Sequence, residues 1–228
     1  MKRHRVALTL NFVIHRGNLH QLEDMVVLAE KIAPARVEFA HVQYYGWAFA
    51  NRARLLPTRA QLDRSLEILK AAEERLRGRV KVEYVVPDYY AKYPKPCMGG
   101  WGRKVILVKP DGDVLPCHAA NVLPGMTFEN VEKRSLREIW EGSAAFQKYR
   151  GIEWMPELCR NCDRREQDFG GCRCQAFLLA QDAAATDPVC TKAPRRAIVD
   201  AIVGEANAPG VGEAQVPESE WIYRPNPA

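Results

Sequence analysis

The sequence predicts an α/β protein: parallel strands joined by crossover helices, followed by a smaller cysteine-rich domain built of a β-hairpin, short helices and loops. Three observations carry this. Over the first 86 residues strand-like and helix-like patterns alternate as β-α-β-α-β, an order that implies parallel pairing through crossover helices. At Pro87 the character changes to the turn-rich D-Y-Y-A-K-Y-P-K-P. All seven cysteines lie beyond that point, five of them within Cys159–Cys190.

Residues 6–14 (V-A-L-T-L-N-F-V-I) are β-rich and mostly apolar, as expected of a strand covered on both faces. Asn18, with Gln21 three residues on, can cap a helix whose Leu22, Met25, Val26, Ala29 and Ile32 keep helical spacing until Pro34. A second strand over 36–43 runs into the aromatic loop Tyr44-Tyr45-Gly46-Trp47-Ala48-Phe49. After Pro57, Thr58 and Gln61 form a capping box for a helix with Leu62, Leu66, Leu69, Ala72 and Leu76 as its core stripe, ended by Gly78. Residues 80–86 supply a third strand. A closed α/β barrel uses about eight strands and eight helices. The expectation is therefore that Met1 begins inside a barrel whose other half is missing from this sequence or supplied by another chain.

Beyond Pro87, residues 103–108 and 113–117 flank Pro110-Asp111-Gly112, a compact hairpin signal that puts Cys117 at the end of a strand. Ser135 and Glu138 form a capping box for the next helix, Ala144 to Tyr149 a further short one, and Thr191 to Val203 a final amphipathic helix. Residues 204–220 are rich in Gly, Pro and Glu, which predicts a disordered tail over 204–228, with Trp221, Ile222 and Tyr223 in a frayed end. The domains expected are thus 1–90, 91–203 and the tail.

With 228 residues the chain can bury one large core or two small ones, and its 47% apolar and 27% charged fractions are ordinary for a globular protein. No apolar run approaches the roughly 20 residues of a membrane helix. The basic start Met1-Lys2-Arg3-His4-Arg5 leads into a strand pattern with no small-residue cleavage site, so the expected compartment is the cytoplasm. There, cysteines at C-x2-C and C-x-C spacing are expected to hold metal rather than to form disulfides. A net charge of +5 with no long basic run excludes a dedicated nucleic-acid surface. Arg160, Arg164, Arg165, Arg173, Lys192, Arg195 and Arg196 gather around the cysteines. They read either as a solvated face or as cations that offset a thiolate-rich cluster or attract an acidic partner.

Thiolates bind zinc, copper(I) or iron-sulfur clusters. One structural zinc takes four ligands, so seven cysteines exceed one site and fall one short of two. Asp168, six positions after Cys162, could complete a second set through a carboxylate oxygen, or serve as a turn residue before Gly170-Gly171. The same residues begin D-F-G, the kinase string, but no Gly-rich loop or H-R-D sequence accompanies it.

The strings P-C-M-G-G-W-G (96–102), P-D-G-D-V-L-P-C-H-A-A (110–120), W-M-P-E-L-C-R-N-C (154–162), D-F-G-G-C-R-C-Q-A (168–176) and D-P-V-C (187–190) carry a resemblance. With Q-Y-Y-G-W-A at 43–48, they make the chain resemble the PqqE family, radical S-adenosylmethionine enzymes of pyrroloquinoline quinone (PQQ) biosynthesis. The resemblance implies part of a radical S-adenosylmethionine barrel followed by a SPASM iron-sulfur domain. It departs from the common SPASM pattern at Asp168 and at the C-x-C of Cys172 and Cys174, and both departures are similar to PqqE itself. Carried over, it implies that Cys97, Cys117, Cys172 and Cys174 hold one auxiliary cluster, and Cys159, Cys162, Asp168 and Cys190 a second. Gly170 and Gly171 would let backbone N–H groups approach cluster sulfurs, a tuning lever for such centres.

The activity implied is S-adenosylmethionine-dependent cross-linking of a glutamate and a tyrosine in the precursor peptide PqqA, delivered by the small chaperone PqqD. The C-x3-C-x2-C motif of the S-adenosylmethionine-cleaving 4Fe–4S cluster is absent from this sequence, so this chain alone is not expected to cleave S-adenosylmethionine. A non-catalytic electron-relay or peptide-binding fragment and a structural zinc protein are the alternatives. Asn11, Gln43, Tyr44, Tyr45 and Trp47 fall at or just after the ends of strands, where barrel enzymes place their sites, and are candidate contacts for cofactor or peptide. Aromatic packing is the competing role for the Tyr and Trp residues. His118, beside Cys117, is a candidate donor to a cluster sulfur.

Overall fold

The computed structural model describes residues 6–211 and 221–223. The chain divides into two compact units, Met1–Tyr90 with Ala201–Ala228, and Ala91–Asp200.

The first unit has strands β1 (Thr9–Ile14), β2 (Arg36–His41) and β3 (Lys81–Val85), paired in that order and all parallel. Helices α1 (Leu22–Ile32) and α4 (Arg59–Leu76) are the crossovers. Leu10, Phe12 and Ile14 of β1, Val37 and Phe39 of β2, and Val82 and Tyr84 of β3 pack with Leu22, Val26 and Ala29 of α1 and Leu69, Ala72 and Leu76 of α4. Phe12 stacks on Phe39 at 5.3 Å. The opposite face carries Asn11, Glu38 and Glu83 in one register row. That corrects the expectation of a doubly covered first strand: β1 alternates exposed and covered residues, and Val13 is 57% exposed. Helices lie on one side of this sheet, whereas a strand covered on both sides needs a layer on each.

The capping box of α4 forms as expected, with Gln61 N donating to Thr58 Oγ1 at 3.1 Å and Thr58 N to Gln61 Oε1 at 3.0 Å. Its inward stripe differs at one position. Leu66 is 40% exposed, and Ser65 takes the inner place, donating its hydroxyl to Leu62 O at 2.7 Å and lying 3.2 Å from Tyr84 Oη. Asn18 does not cap α1. Its Oδ1 receives His15 N and its Nδ2 donates to Val13 O, closing the turn out of β1, and a 3₁₀ turn Leu19–Gln21 leads into the helix. The expected aromatic loop holds two short helices, α2 (Gly46–Ala50) and α3 (Arg52–Leu55).

The last helix, α10, spans Arg196–Ala206 and so begins and ends later than its sequence pattern suggests. Asn207 receives Arg59 N at 2.6 Å and donates to Tyr90 Oη at 2.9 Å, so residues 204–211 start as held structure and not as a tail. Ile222 is held as well: Asn51 donates to its carbonyl at 2.8 Å and accepts its N–H at 2.9 Å. The rest of the expected tail, 212–220 and 224–228, lies outside the described residues.

In the second unit β4 (Leu107–Val108) and β5 (Asp113–Leu115) form the expected hairpin, and β6 (Glu129–Asn130), which the sequence did not signal, pairs with β5. The capping box of Ser135 and Glu138 opens α5 (Leu136–Gly142), followed by α6 (Ala144–Gln147). Val114, Ile139 and Phe146 form a core here, and Trp101 donates its indole N–H to Ala145 O at 2.8 Å. The cysteine segment, expected as loops, contains α7 (Glu157–Arg160), α8 (Arg165–Asp168) and α9 (Arg173–Ala180).

Leu76 is fully buried at the end of α4, in the core shared with β2. Leu76→Ala is expected to destabilise the fold by about 3 kcal/mol. A lower urea midpoint at unchanged m-value checks this.

Candidate metal centre

All seven cysteines are free thiols, and four of them meet. Cys97 opens a 3₁₀ turn, Cys117 follows β5, Cys172 precedes α9, and Cys174 lies in its first turn. The Cys97 thiol hydrogen-bonds with those of Cys117 and Cys172, and the Cys174 thiol with the same two. Cys174 and Cys97, donating to it, pull Cys117 well below the usual thiol range. The bond with Cys117, then that with Cys172, and burial hold Cys97 and Cys174 far above it. Cys117 also receives Ala119 N at 3.4 Å. Ala119, and not the exposed His118, is the donor to sulfur here.

Cys159, Cys162, Asp168 and Cys190 line a second place, one pocket that Pro94, Leu158, Gly170, Thr186 and Lys192 complete. Burial pushes the Cys159 and Cys190 thiols up. Cys159 Sγ lies 3.3 Å from Thr186 Oγ1. Lys192 Nζ donates to Cys162 Sγ at 3.5 Å, and Arg164 pairs with Asp168 at 3.4 Å. All eight ligand-type residues named from the sequence thus fall into two groups of four, drawn from interleaved segments. Among the described residues no three His, Cys, Asp or Glu side chains surround a single-ion position. A polynuclear cluster does not require one, because its thiolates are shared out among several irons.

Two features went unread in the sequence. Asp187, completely buried, receives Cys172 N at 2.8 Å, Val189 N at 3.0 Å and both 3.0 Å contacts of Gln175 Nε2. Burial, and then the charge of Cys172, raise its carboxyl to about 7. Its carboxylate ties Cys172 of the first group to the turn ending at Cys190 of the second, whose N–H bonds Asp187 O at 2.9 Å. The only sequence signal was an acidic residue three before a ligand-type cysteine. Gly171 explains itself through the same residue: at φ +84° its Cβ would stand 2.5 Å from Asp187 Cβ and 2.8 Å from Pro94 Cβ. The expected donation of Gly170 and Gly171 N–H to sulfur is not what the structure shows. Both turn back to Asp168, at 3.1 Å to Oδ1 and 2.9 Å to the carbonyl.

The strand-end candidates of the first unit are scattered in environment. Asn11 stands in the middle of β1, exposed, and not at its end. Tyr44 is 4% exposed and stacked on Tyr89 at 4.8 Å, and burial raises its hydroxyl. Tyr45 is half-buried at the start of α2, Gln43 donates to His41 O at 3.3 Å, and Trp47 is exposed.

Residues 97–163 match the model of the SPASM iron-sulfur cluster-binding domain, a match that stops short of Asp168 and the cysteines after it. The chain is 57% identical over 197 residues to the PqqA peptide cyclase of Methylobacterium sp. strain 4-46, covering 86% of this chain and 52% of that protein. It is 54% identical over 219 residues to the PqqA peptide cyclase of Methylorubrum extorquens strain PA1, covering 96% and 55%. The chain spans about half the length of the curated relatives it matches. Among solved structures, Streptococcus suis SuiB bound to S-adenosylmethionine matches with a TM-score of 0.60 at 16% identity, over 81% of this chain and 45% of that one. The fold is therefore the expected one, parallel α/β barrel elements followed by a SPASM-type iron-sulfur domain.

Asp187→Ala removes the acceptor of three buried donors at once. At roughly 1–3 kcal/mol for a buried donor left unpaired, the loss is expected to exceed about 2 kcal/mol, and a fall in thermal midpoint reads it directly. Gly171→Ala should act in the same direction, by collision with Asp187.

Proposed function

We propose that this chain supplies two auxiliary iron-sulfur clusters and part of the barrel of a radical S-adenosylmethionine enzyme of PQQ biosynthesis, one that joins a glutamate to a tyrosine of the peptide PqqA. The observation that carries the reading is the division of seven thiols and one carboxylate into two groups of four, in a chain more than half identical to PqqA peptide cyclases. Cys97, Cys117, Cys172 and Cys174 are the ligands of the first cluster. Cys159, Cys162, Asp168 and Cys190 are those of the second. Thiol donors this dense suit iron-sulfur clusters, which when bound transfer single electrons.

The chain's own residues fit that load. Asp168 is a harder donor than a thiolate and leaves its iron less tightly held. Arg164 and Lys192 place positive charge against the second group. S-adenosylmethionine, and the third 4Fe–4S cluster that would bind it through C-x3-C-x2-C, belong on this reading to the complete enzyme, with Asn11 and Tyr45 as this chain's contacts toward cofactor or peptide. Tyr44 supports them from the core. PqqD is the proposed chaperone partner and the cytoplasm the proposed compartment, where free thiols persist. Among the described residues no helix is long and apolar enough to cross a membrane.

The test is anaerobic reconstitution of the full-length protein, with iron, acid-labile sulfide and zinc counted. Cys97→Ala and Cys159→Ala are each expected to lose one cluster's iron and sulfide and to keep the other's. Zinc without sulfide would contradict the reading.

A further inference from the structure

Asn51 joins two parts of the first unit that lie far apart in the chain. It stands between α2 and α3 and is 5% exposed. Its Nδ2 donates to Trp47 O at 2.9 Å and to Ile222 O at 2.8 Å, and its Oδ1 accepts Ile222 N at 2.9 Å. The bond back to Trp47, one helical turn earlier, fixes the amide plane. One N–H and one carbonyl oxygen are thereby presented together, the pair that a residue of a neighbouring antiparallel strand offers to its partner.

The grip is on main chain alone. Ile222 is 48% exposed and Tyr223 63%, so the pairing reads no side-chain identity, and any extended segment carries the same N–H and C=O. Peptide recognition by strand addition draws its affinity from such bonds. An enclosed amide left without its two partners loses stability, which favours an occupant at all times.

The place suits a ligand. Arg16 N donates to Leu55 O at 3.0 Å and Arg16 Nη1 to Ala53 O at 2.9 Å, which ties α3 to the turn after β1, while α2 follows the end of β2. Asn51 is therefore held at the carboxyl ends of the parallel strands, where sheets of this kind bind their ligands. Trp47, 45% exposed, adds an aromatic surface one turn away.

We propose that the Asn51 amide is a main-chain clamp for the substrate peptide in extended form, and that residues 221–223 hold its seat until the peptide displaces them. The inference rests on the reading above that the complete enzyme acts on a peptide. Because the occupant belongs to the same chain, it competes at high effective concentration and lowers the apparent affinity for peptide.

The test measures the Kd of a fluorescently labelled PqqA peptide for the full-length, cluster-loaded protein, with PqqD present. Ile222→Pro has no N–H to give to Asn51 and is expected to lower the Kd by about 2- to 10-fold, the worth of one hydrogen bond. Adding Asn51→Ala to Ile222→Pro is expected to raise it again. An unchanged Kd in Ile222→Pro overturns the proposal, and so does a double variant that binds as tightly as Ile222→Pro. Should Asn51→Ala fail to fold, amide hydrogen exchange in the unsubstituted protein decides: PqqA is expected to speed exchange at Ile222, and unchanged or slower exchange overturns the proposal. If the unsubstituted protein binds no PqqA at all, the peptide reading itself fails and takes this inference with it.

Discussion

The second unit depends on one buried carboxylate. Asp187 collects the N–H of Cys172, the N–H of Val189 and the amide of Gln175, and its own carbonyl receives the N–H of Cys190. Through these bonds the start of α9 and the turn at 187–190 become one body. Neither group of four can be assembled by a contiguous stretch, because chain order runs through the first, then the second, then back to each. A carboxylate at the crossing point fixes both geometries together. Burial makes it an expensive group, and that cost is offset only while its three donors stay in place.

Around that crossing the positive residues divide by burial. Arg160, Arg165, Lys192 and Arg195 are exposed, Arg164 and Arg196 are half-buried, and Arg173 is enclosed. The two readings of the basic cluster therefore apply to different members of it. Arg160 and Arg165 belong to a solvated face, whereas Lys192 reaches Cys162 Sγ and Arg195 donates to Ala180 O. Arg164 stacks on Tyr93 at 4.1 Å while pairing with Asp168, and Arg173 donates to four carbonyls and lies over Trp154.

What the sequence made legible followed from local chemistry. Both capping boxes, at Thr58 and Ser135, were readable because the side chain and backbone groups involved lie three residues apart. Parallel pairing of the first three strands followed from the length of their crossovers, and the two groups of four came from a family resemblance in cysteine spacing. Misreadings arose where tertiary contacts override local preference. Asn18 has a capping residue's chemistry but bonds back to Val13 and His15, and Ser65 displaces Leu66 from the core because Tyr84 offers it a partner. The burial of Asp187 and of Arg173 was unreadable, since both sit in strings whose polar residues suit a solvated surface equally well.

The central claim is that eight ligand-type side chains form two separate centres. Diffraction from crystals of the loaded, full-length protein at the iron absorption edge tests it most directly. Two distinct iron positions are predicted in this part of the protein, one beside Cys97, Cys117, Cys172 and Cys174, the other beside Cys159, Cys162, Asp168 and Cys190. A single iron position serving all eight, or a signal at the zinc edge alone, would contradict it.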